Sequence, residues 1–256
     1  MSNYLITGAS RGLGLELVRQ FSALPEEQVR TIIAITRSAN APGLEKLIAE
    51  SQGRVVNIVI TDITDESVVK SALPEIERQL PGGVLDVLIN NAGVMPISAG
   101  TMEAVSNSQL QDVFRTNVGS VQAMTSVLLP LLTRGNTKKV INISTSMGSI
   151  ALVNNYAFAP THAYKITKAA LNMLNAQYAL DFSSQGFTFL AVSPGWLKTD
   201  MGSERADLEV SVGAESVKSW ILKADKTYNG KAVNIHVPGW ENAEGPNKYD
   251  GKEIPW

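Results

Sequence analysis

A tyrosine and a lysine stand four residues apart in the stretch HAYKITKAALNML, which covers residues 162–174. If this apolar-periodic run is a helix, Tyr164 and Lys168 leave the same face one turn apart. A free phenol has a pKa near ~10, which is too high for ready proton exchange at neutral pH. One ammonium at ~4 Å supplies roughly the 3–4 kcal/mol of preference for the phenolate that would lower this pKa by ~2–3 units. The pair predicts a group that transfers protons, although the same spacing also arises by chance.

A glycine-rich turn follows the first apolar run, in the stretch YLITGASRGLGLELVRQF. The spacing of Gly8, Gly12 and Gly14 differs from G-x-G-x-x-G, so the strand–turn–helix context carries the interpretation. Gly8 permits a sharp turn, and the other two let a pyrophosphate or the sheet approach the backbone. Free N–H groups at the helix start would then face the phosphates. The alternative is a tight turn that needs glycine for packing only. The turn residues predicted to bind a dinucleotide are Gly8, Ser10, Arg11, Gly12 and Leu13.

Two arginines indicate which dinucleotide this turn would bind. A carboxylate at the end of the second strand would hold a ribose hydroxyl, whereas a cation there suits a 2′-phosphate. The second apolar run ends in Arg37 with no acid nearby, and Arg11 lies in the glycine turn. Because forked, charge-assisted bonds to phosphate are strong, the two guanidiniums favour NADP(H) over NAD(H). The alternative is that Arg37 is a solvated charge at a strand end.

Short β-branched runs alternate with helical patterns along the chain. The predicted strands cover residues 3–7, 30–36, 54–60, 85–89, 138–144, 187–193 and 231–237. The helical patterns include residues 12–24, 65–79, 108–133 and 163–184. This alternation predicts an α/β protein with a single-domain, Rossmann-type, doubly wound parallel sheet of about seven strands and helices on both faces. Two irregular segments, 146–162 and 200–215, are predicted to cover a substrate.

Composition excludes several classes of function. A net charge of −2 gives no reason to expect nucleic acid or a membrane as partner. The chain has no cysteine and 2 histidines, so it predicts neither a thiolate nucleophile nor a metal site built from cysteine or several histidines. The longest apolar run is too short to span a bilayer, and the early apolar stretch leaves no room for a signal peptide. A cytoplasmic protein is therefore expected.

Five motifs in order resemble the short-chain dehydrogenase/reductase superfamily along essentially the whole chain. They are TGxxxGxG at 7–14, NNAG at 90–93, the Asn117 motif TNVGS, the Tyr164–Lys168 pair and SPGWLKTDM at 193–201. Within that superfamily, the segment after the fifth strand and the ending DGKEIPW resemble C-signal and sniffer-type carbonyl reductases and fungal norsolorinic-acid ketoreductase-like proteins.

The resemblance implies further contacts with the cofactor. Two residues after the third strand would hold the adenine, namely Asp62 and Ile63. Three residues after the fourth strand would line the cofactor and brace that strand, namely Asn91, Ala92 and Gly93. Four residues would close over the nicotinamide, namely Pro194, Gly195, Leu197 and Thr199. Lys168 would hold the ribose hydroxyls beside Tyr164.

The resemblance also assigns a catalytic set of Asn117, Thr145, Tyr164 and Lys168. Asn117 would interrupt its helix and hold a water that relays protons to Lys168; the alternative is a buried amide that satisfies local backbone. The family's catalytic serine position is Thr145 here, in INISTSMGSI. A threonine keeps the hydroxyl donor but adds a methyl group that is stiff at χ1. Ser144 or Ser146 could substitute, and a threonine that only caps a loop is the remaining alternative.

Together these features predict a short-chain ketoreductase or carbonyl reductase that uses NADP(H) and a small carbonyl or alcohol substrate. Tyr164 would give its proton to the developing alkoxide while Thr145 donates a hydrogen bond to the same oxygen. The predicted apolar, partly aromatic pocket wall contains Met147, Tyr156, Phe158 and Trp196; the alternative is that these residues only cover the edge of the sheet. Rival hypotheses are a non-catalytic NADP-binding regulator or scaffold, and a lyase or isomerase with the same proton-transfer residues. A homodimer or homotetramer is also expected.

Overall fold

A computed structural model describes residues 1–98 and 100–256. Seven strands form one sheet in the order β3-β2-β1-β4-β5-β6-β7, and every neighbouring pair is parallel. The strands are β1 (Ser2–Thr7), β2 (Val29–Thr36), β3 (Val55–Val59), β4 (Val87–Asn90), β5 (Lys139–Ile143), β6 (Thr188–Ser193) and β7 (Ala232–Asn234). The α/β fold with a doubly wound parallel sheet is thus confirmed.

Helices cover both faces of the sheet. They are α1 (Gly12–Ser22), α2 (Pro42–Glu50), α3 (Glu66–Gln79), α4 (Asn107–Phe114), α5 (Ser120–Thr133), α6 (His162–Asp181) and α7 (Val210–Lys223). On one face, α1, α2 and α7 contribute Leu17, Leu44 and Val217 to a buried apolar cluster. On the other, α3 and α5 contribute Val69 and Leu128 to a second cluster. Strands apolar on both sides are therefore required, as the sequence pattern indicated.

The sheet order reverses between β1 and β4, because β1 pairs with β2 on one side and with β4 on the other. In open α/β sheets, ligands bind where the strand order reverses, outside the carboxyl ends of the strands. The glycine turn follows β1 and the NNAG motif follows β4. The fold therefore brings both motifs to the reversal point.

Three elements differ from the sequence-based predictions. The run predicted as helix over 108–133 contains α4, a π-helical segment at Arg115–Gly119, and α5. Helix α2 was not predicted; it spans only 9 residues and begins at Pro42. The prediction that 200–215 is irregular is wrong for its last part, because α7 begins at Val210. There the buried residues Gly213, Ala214 and Val217 recur at helical spacing despite polar neighbours.

The chain after β7 runs back along the edge of the sheet. Antiparallel bridges join His236 to Asp250 and Val233 to Glu253, and Ile254 is buried. The main-chain oxygen of Trp256 accepts a hydrogen bond from the N–H of Ala151 at 2.9 Å. The tail thus holds the 146–162 segment, which contains two 3₁₀ turns. None of the helices described here is long and apolar enough to cross a membrane.

Candidate active site

The glycine turn between β1 and α1 packs too closely for larger residues. Gly8 has a φ of +67°, in the left-handed region that favours glycine. A Cβ on Gly14 would lie 2.3 Å from the carbonyl oxygen of Gly8 and 2.5 Å from Nδ2 of Asn91. A Cβ on Gly12 would fill the space toward Thr199, 3.5 Å from its Cγ2. Gly8 and Gly14 are thus required for packing, as in the alternative interpretation, whereas the half-buried Gly12 leaves room where a pyrophosphate would approach.

The ends of β1 and β4 are joined by polar contacts that sequence reasoning missed. Oγ1 of Thr7 accepts hydrogen bonds from the N–H groups of Asn91 and Ala92, at 3.0 and 3.1 Å. Nδ2 of Asn91 donates to the carbonyl of Thr7 at 2.9 Å. Of the NNAG residues, Asn91 thus braces the turn through its side chain. The threonine before Gly8 was the available signal, but its partners are 84 and 85 residues away.

Helix α1 begins beside a cation. Arg11 is its N-cap residue and makes no side-chain capping bond, while Ser10 and Leu13 are half-buried. Nη1 of Arg11 lies 3.0 Å from a carboxylate oxygen of Asp200, and both side chains are more than 70% exposed, at 72% and 75%. An ion pair this exposed contributes little to stability, so the guanidinium is free to exchange partners. A phosphate group could bind here, because the N-terminus of the helix, the glycine turn and Arg11 lie together.

Arg37 lies just beyond the end of β2 and is exposed. The N–H of Ala9 donates to the carbonyl of Ile35 at 3.1 Å, which fixes the glycine turn against this end of β2. The structure therefore places both predicted guanidiniums, Arg11 and Arg37, on the carboxyl edge of neighbouring strands.

After β3, the Asp62 carboxylate accepts hydrogen bonds from the N–H of Thr64 at 2.8 Å and its hydroxyl at 2.6 Å. Arg115 lies 3.2 Å from the other carboxylate oxygen. The Thr64 bonds lower the pKa of Asp62, so it is an ionised acceptor at neutral pH. Ile63 is buried beneath it, so the two predicted adenine-binding residues lie together.

Helix α6 carries the tyrosine and lysine on its buried face. Tyr164 is 8% exposed and Lys168 is 5% exposed. Nζ of Lys168 donates a hydrogen bond to the carbonyl of Ile143, at the end of β5, at 2.6 Å. The same Nζ lies 5.7 Å from the centroid of the Tyr164 ring. The two groups are thus neighbours, as the spacing predicted, and α6 aims them at the carboxyl edge of the sheet.

Three hydroxyls follow β5, and they point in different directions. Oγ of Ser144 donates to Oδ1 of Asn172 at 2.7 Å, so it is committed to helix α6. Oγ of Ser146 lies 3.3 Å from Oγ of Ser193. The Thr145 hydroxyl accepts from the N–H of Met147 at 3.2 Å and also interacts with the phenol of Tyr164. Of the three candidates, Thr145 is the hydroxyl that lies beside the phenol.

The electrostatics of the pair differ from expectation. Burial raises the pKa of Tyr164, and the interaction with Thr145 lowers it by less. Burial also lowers the pKa of Lys168 to about 8. The prediction that Lys168 lowers the pKa of Tyr164 is therefore wrong for the chain by itself. The loss of water around the phenol outweighs an ammonium that is itself deprived of water and bonded to Ile143.

Asn117 lies in the π-helical segment and is fully buried. Its Oδ1 accepts from the N–H of Val94 at 2.8 Å, and its Nδ2 donates to the carbonyl of Val94 at 2.9 Å. A Cβ on Gly93 would lie 3.2 Å from this Oδ1 and 3.9 Å from Nζ of Lys168. The predicted helix interruption is confirmed. Because the amide also satisfies local backbone, as in the alternative interpretation, the water relay stays a prediction.

The segment after β6 is held from behind by residues that the sequence did not single out. Gly195 has a φ of +81°, and the N–H of Trp196 donates to Oη of Tyr249 at 3.1 Å. The Tyr249 hydroxyl in turn donates to Oδ2 of Asp207 at 2.6 Å. Burial raises the pKa of Tyr249, and the hydrogen bond to Asp207 raises it further.

The remaining predicted residues of this segment, Pro194, Leu197 and Thr199, are positioned around that anchor. Leu197 is buried and bridges to Leu208. Oγ1 of Thr199 accepts from the N–H of Gly202 at 3.2 Å. Thr199 thus lies over the glycine turn, facing Gly12, while Leu197 and the carbonyl of Pro194 pack against Gly213 of α7.

A cavity of about 330 Å³ lies beside this segment. Its side-chain lining, which we call the aromatic pocket, contains Phe158, Trp196, Trp240, Asp207, Glu244 and Asn247. Of the four residues predicted to form a pocket wall, Phe158 and Trp196 line it. Tyr156 is buried behind it, with its hydroxyl 3.4 Å from the carbonyl of Pro246, which also lines the pocket. Met147 is not among the lining residues.

A doubly wound sheet with a glycine turn at its reversal point and a buried tyrosine–lysine pair beside it defines the short-chain dehydrogenase class of oxidoreductases. The family model described as short chain dehydrogenase matches residues 2–209. The chain belongs to this family, and the resemblance seen in the motifs is confirmed.

Individual relatives agree with this assignment. Over 204 residues, the chain is 37% identical to the short-chain dehydrogenase/reductase AacuF of Aspergillus aculeatus, covering 76% of this chain and 74% of that protein. It is 30% identical to C-signal of Myxococcus xanthus over 177 residues, covering 68% and 94%.

Solved structures of related proteins share the fold over the full chain. The carbonyl reductase Sniffer of D. melanogaster is 29% identical with a TM-score of 0.86, and the alignment covers 100% of both chains. An NADPH-bound carbonyl reductase from chicken fatty liver is 27% identical with a TM-score of 0.86, covering 100% of this chain and 99% of that one.

Proposed function

We propose that this protein is an NADP(H)-dependent carbonyl reductase that interconverts a small ketone or aldehyde and its alcohol. One observation carries the proposal: Tyr164 and Lys168 are buried side by side, with the Thr145 hydroxyl at the phenol, on the edge of the sheet where the glycine turn opens. This arrangement offers a proton donor and a second hydroxyl to one carbonyl oxygen. The carbonyl reductase neighbours, one of them NADPH-bound, support the same function.

The cofactor is proposed to lie across the reversal point of the sheet. The exposed backbone of the glycine turn would hold the pyrophosphate, and Arg11 and Arg37 would hold a 2′-phosphate. Asp62 and Ile63 would hold the adenine, and the Asp62 carboxylate would accept from its amino group. Ala92, Gly93 and the segment from Pro194 to Thr199 would enclose the nicotinamide. When bound, the reduced nicotinamide supplies the hydride that the substrate carbonyl carbon accepts.

The protein's own contribution is to position and protonate the substrate. Tyr164 is protonated at neutral pH and would donate its proton to the developing alkoxide; because burial raises its pKa, the positive charge of the oxidised nicotinamide would help to release that proton. The Thr145 hydroxyl would donate a second hydrogen bond to that oxygen. Lys168, with a pKa of about 8, keeps most of its charge at neutral pH and would hold the ribose hydroxyls. Asn117 would link Lys168 to solvent through a water.

Two other functions use the same residues. A regulator that binds NADP without turnover would need the glycine turn but would have no need of a buried phenol and ammonium. A lyase or isomerase would use the proton transfer without net consumption of cofactor. The presence of Tyr164, Lys168 and Thr145 in one cluster favours the reductase over the regulator.

The test is incubation with NADPH and a panel of aliphatic and aromatic carbonyl compounds, followed at the reduced-nicotinamide absorbance band. We expect absorbance loss coupled to alcohol formation. Tyr164→Phe should reduce turnover by about 10²–10⁴-fold while the Kd for NADPH changes little. Binding of NADPH without absorbance loss across the panel would favour the regulator. Conversion of a substrate at constant NADPH would favour the lyase or isomerase.

Substrate cover and assembly are further parts of the proposal. We infer that 146–162 and the irregular part of 200–215 close over the substrate, since Phe158 of the first segment and Asp207 of the second line one cavity together with Trp196. Three exposed apolar residues on α6 recur every seven positions, at Ile166, Met173 and Leu180. This stripe supports a homodimer or homotetramer, and light scattering of the purified protein would measure its mass.

A further inference from the structure

The aromatic pocket is built by three separate segments. Phe158 comes from the chain before α6, Trp196 and Asp207 from the chain after β6, and Trp240 and Glu244 from the C-terminal tail. Phe158 is 64% exposed and Trp196 is 36% exposed, although both are large apolar side chains. The rings of Phe158 and Trp196 are thus accessible to a ligand and are not buried in the hydrophobic core.

The pocket also carries negative charge that the protein does not neutralise. Oδ2 of Asp207 accepts hydrogen bonds from Tyr249 at 2.6 Å and from Asn247 at 2.7 Å, both uncharged donors. No ion pair of the described residues includes Asp207 or Glu244. No lysine, arginine or histidine is found among the described residues that line the pocket. An anionic ligand would therefore meet repulsion without a compensating cation.

The half-buried Asp207 carboxylate acts on the groups around it. Burial raises the pKa of Tyr156, the interaction with Ser146 opposes this, and the charge of Asp207 raises it again. Burial and Asp207 together raise the pKa of Tyr249. Two phenols behind the pocket therefore experience the same unneutralised negative charge.

The same groups connect the pocket to the proposed catalytic site. The ring of Tyr156 lies 6.4 Å from that of Phe158, and the carbonyl of Tyr156 accepts a hydrogen bond from Nζ of Lys165, the residue after Tyr164. Trp196 comes three residues before Thr199, which faces Gly12 in the glycine turn. A substrate with its carbonyl at Tyr164 would extend toward this pocket.

We propose that the aromatic pocket binds an organic ammonium group, carried by the substrate on the end remote from its carbonyl. Aromatic faces attract cations through the ring quadrupole, and three rings line the same cavity as two carboxylates whose charge is opposite to that of the ligand. A bound ammonium would supply a positive counter-charge, because neither Asp207 nor Glu244 has a cationic partner among the described residues. That this ligand is a substrate rests on the proposed reductase function; the binding of the cation does not.

Matched ligands test the charge separately from shape. Methyl ketones that carry a trimethylammonium group on methylene chains of graded length would be compared with their tert-butyl isosteres and with hydroxymethyl analogues. The trimethylammonium group cannot donate a hydrogen bond through nitrogen, so a preference for it reports charge. Binding is measured by calorimetry on the protein without cofactor, and kcat/KM is measured with NADPH.

We expect the best ammonium ketone to bind about tenfold or more tightly than its tert-butyl isostere. Glu244→Gln and Asp207→Asn should each reduce that ratio, as should Phe158→Leu, which removes a ring that is mostly exposed. Glu26→Gln, an exposed acid outside the pocket and outside the segments proposed to cover the substrate, should leave the ratio unchanged.

Equal binding of the ammonium and tert-butyl ketones would overturn the proposal, as would tighter binding of the hydroxymethyl analogue. A preference that survives in all three pocket variants would also overturn it. The two proposals fail separately. Turnover of the tert-butyl ketones without any charge preference would remove the ammonium pocket and keep the reductase. If calorimetry shows a preference for the ammonium ketones but no ketone oxidises NADPH, the reductase function would be removed and the ammonium pocket kept.

Discussion

Replacing Lys168 with methionine should make the protein more stable at neutral pH while abolishing its proposed activity. The ammonium is buried, it has one hydrogen-bond acceptor in the carbonyl of Ile143, and burial lowers its pKa from 10.5 to about 8. A shift of about 2.5 units corresponds to about 3 kcal/mol that the charged side chain costs the folded state. The substitution also loses the hydrogen bond to Ile143, which offsets about 1–2 kcal/mol of this gain in stability. Lys168→Met should therefore gain about 1–2 kcal/mol in the free energy of unfolding.

The pH dependence identifies the cause. Below pH about 8, Lys168 is charged in both the folded and unfolded states, so the folded wild type carries the full cost of burial. Between about 8 and 10.5 the unfolded chain binds the proton and the folded protein does not, so wild-type stability rises with pH. Methionine does not titrate. The advantage of Lys168→Met should therefore shrink, and then disappear, as the pH rises through this window.

Urea unfolding of the cofactor-free protein near pH ~7 and ~10 measures both effects, provided the m-values agree. Lys165→Met is the matched control, because Lys165 is on the same helix and also donates to a carbonyl, that of Tyr156, but is only partly buried. Lys165→Met should increase the free energy of unfolding little or not at all. A Lys168→Met protein that is less stable than wild type at neutral pH, or whose advantage is the same at both pH values, would refute the burial argument.

Three further substitutions test other parts of the site. Thr145→Val should lower kcat by about tenfold or more, while Thr145→Ser should stay near wild type in steady-state kinetics; equal losses would mean that the hydroxyl is not used. Arg37→Asp should raise the Kd for NADPH about tenfold or more and change that for NADH little. Arg30→Asp, an exposed charge reversal at the other end of β2, should change neither, and an unaltered ratio in Arg37→Asp would remove the phosphate contact. Gly14→Ala should lower the free energy of unfolding by about 2 kcal/mol or more, because its Cβ would lie 2.3 Å from the Gly8 carbonyl oxygen; unchanged urea unfolding would contradict this packing.

The strands and the position of the site followed from local pattern. Runs that are apolar on both faces are typical of parallel strands covered by helices on both sides, and their alternation with helical patterns predicted the sheet without any contact information. The glycine turn was predictable because its conformation is local: a φ of +67° at Gly8 favours glycine wherever it occurs. Tyr164 and Lys168 were predictable as neighbours for the same reason, since four residues make one helical turn.

The parts that sequence reasoning missed depend on partners distant along the chain. Asp207 is one acid in a charged stretch, and only the fold brings Tyr249, 42 residues later, to its carboxylate. In the sequence, Thr7 is an ordinary residue at the end of a strand, and only the fold places Asn91 beside it. The start of α7 was missed because its helical face is buried against α1 and the sheet, while its exposed residues are polar.

The error over Tyr164 has a different origin, because the two residues were identified correctly and their interaction was not. A calculation from spacing can give the attraction between an ammonium and a phenolate, but it contains no desolvation. In the fold both groups are buried by the same helix packing, and desolvation acts on both in the direction that removes charge: it favours the neutral phenol and the neutral amine. A phenol is protonated at neutral pH with or without this shift, so Tyr164 can be the proton donor for reduction of a carbonyl, while burial makes it a weaker acid than a free phenol. Oxidation of an alcohol would need the phenolate, so in that direction the positive charge of the oxidised nicotinamide would have to offset the burial that the chain imposes on Tyr164.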